Sequence, residues 1–351
     1  MNAPAVPGVS GAAAAPDAAA LGDWMEAHVA DFSGTPRLSK FAGGQSNPTY
    51  LAQTADASYV IRCKPAPAAE LPPGAHAIER EYRVMRALAG SAVPPAPTFA
   101  LCMDERVIGR AFYVMGHVAG RCFTDNALPG LDAAERGAIF DEANRVIAAL
   151  HAMDPGALAL ADFGKSEDFL PRQIARWTRL YRQAETAPIP AMESLLAWLP
   201  QNFSAGTGPA RLLHGDFKLD NLIFHPSQPR VLAVLDWELS TLGDPLADFA
   251  YHCLMWQIAP GLLHGLAGLD LAALGIPSQQ QHLRAYAARR GIEIGAEWRF
   301  YLAFNFFRLA GIFQGIMRRA LDGTASHAAA LDYGRMAPVM AQLGWGLARG
   351  Q

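Results

Sequence analysis

Apolar and polar positions follow two different rhythms along this chain. Three short apolar runs, Leu212–Leu213, Leu222–Phe224 and Val231–Leu235, predict buried strands, with His225 to Arg230 forming a turn between the last two. Upstream, Tyr59 to Lys64 alternates with period two, which puts Val60, Arg62 and Lys64 on one face of a strand. Ala111 to Met115 reads as a second buried strand. Helical spacing appears at Leu21 to Ala30, ended by Ser33-Gly34-Thr35-Pro36, and at His76 to Ala89, set off by Pro72-Pro73-Gly74. From Leu131 onward helices dominate: one capped by Asp132 and running to His151, one over Leu170 to Ala184, and a long one over Glu297 to Arg319. The pattern predicts an α+β protein. Residues 21–115 form a small β-rich part, 116–351 a larger helical part, and the Ala/Pro-rich residues 1–20 a disordered tail.

Two helices carry polar stripes. In Leu170 to Ala184, Arg172, Arg176 and Arg179 share one face, and Ile174, Trp177 and Tyr181 the other. Such a stripe fits a solvated face as well as a ligand-facing one. In the long C-terminal helix, Asn305, Arg308, Ile312, Gly315 and Arg319 fall in one sector, as a cleft wall or as core packing around a satisfied arginine.

Composition narrows the function. With 351 residues, 51% of them hydrophobic, the chain can bury a large core, and a net charge of −3 implies no field for nucleic acid. Cys63, Cys102, Cys122 and Cys253 show no CxxC spacing, and the histidines no zinc-type pairing, which fits a reduced cytoplasmic setting. The first twenty residues lack the basic and apolar regions of a signal peptide. No run of about 18 apolar residues stands out, so no membrane span is expected. Residues 251–351 hold nine Arg, no Lys and five acidic residues, a balance of +4 that leaves −7 for the rest.

The chemistry concentrates in Leu-Leu-His-Gly-Asp-Phe-Lys-Leu-Asp-Asn, Leu212 to Asn221. Asp216 and Asn221 sit five apart on one tight loop, and Asp236 follows directly after a buried strand. Two oxygen donors for a metal plus one carboxylate for base work is what phosphoryl transfer requires of a protein. This assigns Asp216 as the base and Asn221 and Asp236 as Mg²⁺ ligands. Phe41 to Leu51 contains a Gly43-Gly44 turn followed by Ser46 and Asn47, where backbone N–H groups can approach phosphates. A plain hairpin turn has the same pattern.

The spacing resembles the protein-kinase catalytic loop and its metal-binding Asp. With His214-Gly215-Asp216 and Asp236-Trp237-Glu238 it is similar to the aminoglycoside phosphotransferase and choline kinase superfamily. Glu79-Arg80-Glu81-Tyr82-Arg83-Val84, Phe112 to Met115, Arg172-Gln173-Ile174-Ala175-Arg176-Trp177, Leu235 to Pro245 and Tyr301 to Arg308 resemble one branch in particular. That branch comprises kinase-like domains fused to some acyl-CoA dehydrogenases, together with free-standing bacterial relatives, and the resemblance covers most of residues 38–325.

The resemblance implies a two-lobed protein-kinase-like fold using ATP and Mg²⁺. It implies that Arg62, or else Lys64, holds phosphates, braced by Glu81 with Glu79 as the alternative; Arg can bind phosphate bidentately. It places a hinge at Gly116 to Gly120, directly after the Ala111 to Met115 strand, where backbone groups meet adenine, with Met115 and His117 among the nucleotide contacts. Gly116 departs from relatives that carry an acidic residue there. His214, Asp244 and Asp248 would support the catalytic loop. Arg172, Arg176, Arg179, Glu238, Asn305 and Arg308 would line the acceptor site. The implied reaction is phosphorylation of a hydroxyl on a small metabolite, with a hydroxyacyl-CoA as candidate, and the basic C-terminal region suits an anionic acceptor. Nucleic acid and membrane are not expected as partners. The rivals are an aminoglycoside or choline kinase, and a non-catalytic nucleotide-binding module.

Overall fold

The computed structural model describes residues 15–41, 47–65, 77–203, 208–325 and 329–350. Gly43, Gly44 and Ser46 of the candidate phosphate turn, and the first fourteen residues of the expected tail, lie outside them. The chain divides into two compact units, Met1–Arg86 with Ala96–His117, and Ala87–Pro95 with Val118–Gln351.

The first unit is built on a five-stranded antiparallel sheet of β1 (Arg37–Lys40), β2 (Thr49–Gln53), β3 (Ser58–Cys63), β4 (Thr98–Cys102) and β5 (Phe112–Gly116), in the order β1-β2-β3-β5-β4. Helix α1 (Ala18–His28) starts inside the stretch expected as tail, because the Asp17 carboxylate accepts the amides of Ala19 and Ala20 and caps it. Its Leu21 and Met25 pack with Tyr59, Ile61 and Cys63 of β3 and with Phe112 and Val114 of β5. The period-two reading of β3 therefore holds: the odd positions enter this core, leaving Val60 and Arg62 for the other face. Helix α2 (Ile78–Leu88) meets that face through Glu81.

The second unit is mostly helical, with α3 (Ala133–Ala152), α4 (Phe169–Ala184), α5 (Pro190–Asn202), α6 (Pro245–His252), α7 (Leu271–Leu274), α8 (Gln279–Arg290), α9 (Trp298–Leu321), α10 (Ala330–Gly334) and α11 (Ala337–Arg349). Asp132 caps α3 through the Glu135 amide, as its sequence position implied. Two antiparallel strand pairs carry the loops of interest: β6 (Arg211–Leu213) with β9 (Thr241–Gly243), and β7 (Leu222–Phe224) with β8 (Val231–Val234). Segment Ala87–Pro95, expected with the N-terminal lobe, groups with this unit, and the Val234 amide donates to Pro94 O at 2.8 Å. Helix α9 packs against α4, α5, α6, α10 and α11. By length and composition it could cross a membrane, which the sequence reading did not anticipate, but 72% of its most apolar window is buried within the protein. The architecture is the expected one, a small antiparallel sheet unit and a larger helical unit of protein-kinase type.

Candidate active site

The loop from His214 to Asn221 is held peptide by peptide. Gly215 has φ +87°, and a Cβ there would meet Leu239 O at 2.5 Å, so His-Gly-Asp requires glycine at its centre. Asp248 on α6 accepts the His214 amide at 2.7 Å and the Gly215 amide at 2.8 Å. Its Oδ2 also lies 3.2 Å from His151 Nε2 at the end of α3. Burial alone would raise the Asp248 pKa, but the His151 hydrogen bond and charge, with His214, hold it below the ordinary carboxylate value. His214 Nδ1 accepts the Asp216 amide at 3.2 Å, so Nε2 carries the ring proton and donates it to Leu235 O at 2.8 Å. One imidazole thus ties the loop to the end of β8, next to Asp236.

Asn221 closes the loop from its other end. Its Nδ2 donates to the Asp216 backbone oxygen at 2.8 Å and to Asp216 Oδ2 at 3.1 Å. The Leu235 amide donates to Asn221 O at 2.8 Å, which brings Asn221 beside the residue preceding Asp236. Asp236 itself adopts the left-handed conformation, φ 63° and ψ 59°, which Asp tolerates better than most side chains. Buried Trp237 fixes the turn after it: its indole donates to Val234 O at 3.0 Å, and Ser240 Oγ donates to Trp237 O at 2.6 Å. The three residues expected to do the chemistry are therefore linked through two short stretches of backbone. A carboxylate and a carboxamide are hard oxygen donors of the kind Mg²⁺ takes alongside water and phosphate oxygens.

Several expected contacts fall elsewhere. Asp244 caps α6 through the Leu246 amide and accepts the Tyr301 hydroxyl at 2.6 Å, so it supports the helix that carries Asp248 rather than the loop itself. Asn305 is fully buried and donates to Ala247 O at 2.8 Å and Tyr301 O at 3.0 Å, joining α9 to α6; it does not line an acceptor site. Arg172 leaves the basic stripe, because its Nε donates to Glu167 O at 2.8 Å and its Nη2 to Lys165 O, both in the turn before α4. Glu238 lies half-buried in the turn after Asp236. Arg308 donates from Nη2 to Gly215 O at 2.6 Å, and its guanidinium lies 4.7 Å from the Tyr251 ring centre and 5.6 Å from that of Trp177. Partial desolvation, then the charges of Arg308 and Arg179, hold the Arg176 pKa below its ordinary value.

Three residues escaped the sequence reading. Lys218 Nζ lies 3.5 Å from Asp216 Oδ2 and 3.2 Å from Asp220 Oδ2. Desolvation works against its charge, but Asp216 and Asp220 hold its pKa above the ordinary lysine value. Its place two residues after Asp216 was signal enough to find it. His151 and Tyr251 carried none. Burial, and then the Asp216 charge, push the Tyr251 phenol well above the ordinary tyrosine range.

In the first unit, buried Glu81 gathers a network. Its carboxylate lies 2.7 Å from Arg62 Nε and accepts Asn47 Nδ2 at 2.8 Å and the Tyr113 hydroxyl at 3.0 Å. Lys64 pairs with Glu79 instead, at 3.2 Å and more exposed. At the expected hinge, the Gly116 amide donates to Pro97 O at 2.7 Å and the His117 amide to Ser58 O at 3.2 Å, so neither of these two N–H groups is directed to a ligand. Met115 is half-buried in β5.

The chain is 46% identical over 90% of its length to acyl-CoA dehydrogenase family member 10 of Mus musculus, covering 30% of that protein. It is 37% identical over 95% of its length to acyl-CoA dehydrogenase family member 11 of Homo sapiens, covering 43% of it. The chain thus spans less than half the length of these curated relatives. A solved structure of a presumed aminoglycoside phosphotransferase from Ralstonia eutropha is 54% identical, with TM-score 0.87, and the match covers 96% of this chain and 99% of that one. A thermostable mutant of the aminoglycoside phosphotransferase APH(4)-Ia, in ternary complex with ADP and hygromycin B, shares the fold at 16% identity and TM-score 0.61, over 93% and 97% of the two chains. Residues 37–292 match the model of the APH phosphotransferase enzyme family, and the chain belongs to that family.

Proposed function

We propose that this protein is a small-molecule kinase that transfers the γ-phosphate of ATP to a hydroxyl of an anionic metabolite, with a hydroxyacyl-CoA as the leading candidate. The observation that carries this reading is the linkage of Asp216, Asn221 and the Asp236 turn, with Asn221 Nδ2 on Asp216 Oδ2 at 3.1 Å and the Leu235 amide on Asn221 O at 2.8 Å. Asp216 takes the proton of the acceptor hydroxyl as that oxygen bonds to the γ-phosphorus. The bond from the γ-phosphorus to the bridging oxygen breaks, and ADP leaves with its electron pair. Asn221 and Asp236 would hold Mg²⁺, which neutralises phosphate charge when bound. Arg62, braced by Glu81, is favoured over Lys64 as the phosphate-holding cation, because its partner is buried and itself fixed by Asn47 and Tyr113.

Two features support an anionic acceptor. Arg176, Arg179 and Arg308 crowd together, and among the described residues none of the three is paired with a carboxylate. Such a cluster favours an anion and disfavours a polycation. The names of the mouse and human relatives also support a link to acyl-CoA chemistry. An aminoglycoside acceptor is suggested by the names of the solved relatives, and the same cluster weighs against it.

The test is phosphotransfer from Mg·ATP to a panel of hydroxyacyl-CoAs, free hydroxy acids, choline and aminoglycosides. A hydroxyacyl-CoA should be the best acceptor, and Asp216→Asn should lower its rate by about 10²–10⁴ with nucleotide binding retained. Choline or an aminoglycoside as best acceptor would overturn the substrate class, and undiminished turnover in Asp216→Asn the role of the base.

A further inference from the structure

The peptide between Gly215 and Asp216 is pinned on both edges. Its carbonyl accepts Arg308 Nη2 at 2.6 Å, and its N–H donates to His214 Nδ1 at 3.2 Å. The preceding N–H, that of Gly215, is held by Asp248 at 2.8 Å. The next peptide is held as well, since Asp216 O accepts Asn221 Nδ2 at 2.8 Å; with the planes on both sides of Asp216 held, its φ and ψ, and so its Cα–Cβ direction, are held with them. Gly215 adds no stiffness of its own: at φ +87° it has the widest conformational freedom of any residue, so its orientation depends on these outside contacts.

Arg308 is equipped for such a hold. Its guanidinium lies over the Tyr251 ring on α6, 4.7 Å from the centre, and near the Trp177 ring on α4 at 5.6 Å. A planar cation stacked on aromatic faces is directed far more narrowly than an ammonium on a flexible stem. Arg308 reaches the loop from 93 residues away in sequence and joins α9 to the loop, with α4 and α6 supplying the rings.

We propose that Arg308 is a positioning residue for Asp216: it fixes the Gly215–Asp216 peptide and so aims the carboxylate, rather than serving as a contact for the acceptor's charge. The inference rests on the reading of Asp216 as the base. Arg176, which shares the charge cluster without touching the loop, keeps the acceptor-binding role. The two arginines therefore separate kinetically. Removing Arg308 misaims the base and lowers kcat, whereas removing Arg176 weakens acceptor binding and raises KM. Lysine at 308 keeps the charge but loses the planar stack, so it separates a positional role from an electrostatic one.

The experiment compares wild type, Arg308→Ala, Arg308→Lys and Arg176→Ala. In Arg308→Ala, kcat should fall about ten- to a hundredfold with the KM values for ATP and acceptor within about threefold of wild type, Lys should restore little of it, and low-millimolar guanidinium ion should restore part of it. Hydrogen exchange of the 214–218 segment, measured without substrate, should be faster in both Arg308 variants and unchanged in Arg176→Ala. An Arg308→Ala enzyme with wild-type kcat and a raised acceptor KM, or full activity in Arg308→Lys, overturns the proposal. So does unchanged exchange in the loop, which reads the peptide directly even if Arg308→Ala is unstable or the chain phosphorylates nothing. Failure of Asp216→Asn to lower the rate identifies the base assignment as the error instead.

Discussion

Arg62 and Tyr113 are cross-strand partners on β3 and β5, and both bring their polar ends to Glu81. The ion pair of Arg62 with Glu81 measures 2.7 Å, with side-chain exposures of 12% and 2%. Glu81→Gln removes the counterion and leaves a mostly buried guanidinium beside a neutral amide, at a cost of roughly 3–5 kcal/mol. We expect a lower Tm and an ATP KM raised at least about tenfold, the size of one charge-assisted contact, with the acceptor KM little changed. Steady-state kinetics with each substrate varied in turn checks this. An unchanged ATP KM in a folded Glu81→Gln protein would remove Arg62 from the nucleotide site.

Gly215→Ala should be among the most damaging single methyl additions in the chain. The new Cβ would sit 2.5 Å from Leu239 O and 2.8 Å from Leu239 Cβ, at a φ of +87° that alanine rarely adopts. Backbone strain alone is on the order of 1–3 kcal/mol, and the clash with a backbone oxygen adds to it. Gly116→Ala is the control, since its Cβ would meet only ordinary contacts at 3.6 Å. Thermal melts should show a large loss for the first and little for the second. Equal melts would mean that the loop yields where its hydrogen bonds say it is fixed.

How much of this was legible follows from where each constraint resides. That Asp216, Asn221 and Asp236 come together is legible because it is set locally, by a five-residue loop and the end of one strand. The partners of that loop come from far along the chain, and residue type alone does not reveal which helix face they meet. Asp248 reaches the loop from α6, accepting the His214 and Gly215 amides, a contact that its residue type alone does not reveal. Asp244, one helical turn earlier, went to Tyr301. Asn305 and Arg308 share one helical sector in the sequence, but angle on a helix does not say what lies opposite: Asn305 meets α6 and Arg308 the His214–Asn221 loop. Arg172 failed for a simpler reason, since a guanidinium one turn into a helix can reach back to the carbonyls before it.

A buried histidine pair should make the protein acid-labile. His252 Nε2 and His282 Nε2 lie 3.1 Å apart in the second unit, one donating to the other, which requires the accepting Nε2 to carry no proton. Burial pushes His252 down to about 4, against opposing pulls from the Asp248 charge and the Phe217 backbone. His282 is pushed well below its usual value by burial, by His252 and by Arg289. Both folded values lie under the unfolded value of about 6.5. The stability from neutral burial is therefore complete above about pH 6.5 and is lost as pH falls toward the folded values, with His252 alone worth on the order of 3 kcal/mol. Urea unfolding from pH 7.5 to 4.5 should show stability falling steadily below about 6.5. A flat profile over that range would mean that the pair accepts a proton without cost.

The sharpest test of the acceptor's charge is Arg176. It lies near Trp177, with its guanidinium 5.8 Å from the ring centre, and shares its field with Arg179 and Arg308. Like charges held together raise one another's free energy, and a bound anion relieves that repulsion while gaining a charge-assisted contact. Such a contact is worth roughly 1.5–3 kcal/mol. Arg176→Ala should therefore raise the KM of an anionic acceptor about ten- to a hundredfold, with kcat and the ATP KM near wild type. The same attraction is screened by salt over a Debye length of about 8–10 Å at physiological ionic strength. The wild-type acceptor KM should accordingly climb between low and physiological salt, and climb less in Arg176→Ala, because one of the interacting charges is gone. Measuring acceptor KM against salt in both proteins decides the matter. If the salt dependence is the same in the two, or if KM falls as salt rises, the acceptor does not reach this cluster as an anion, and its recognition must come from another part of the second unit.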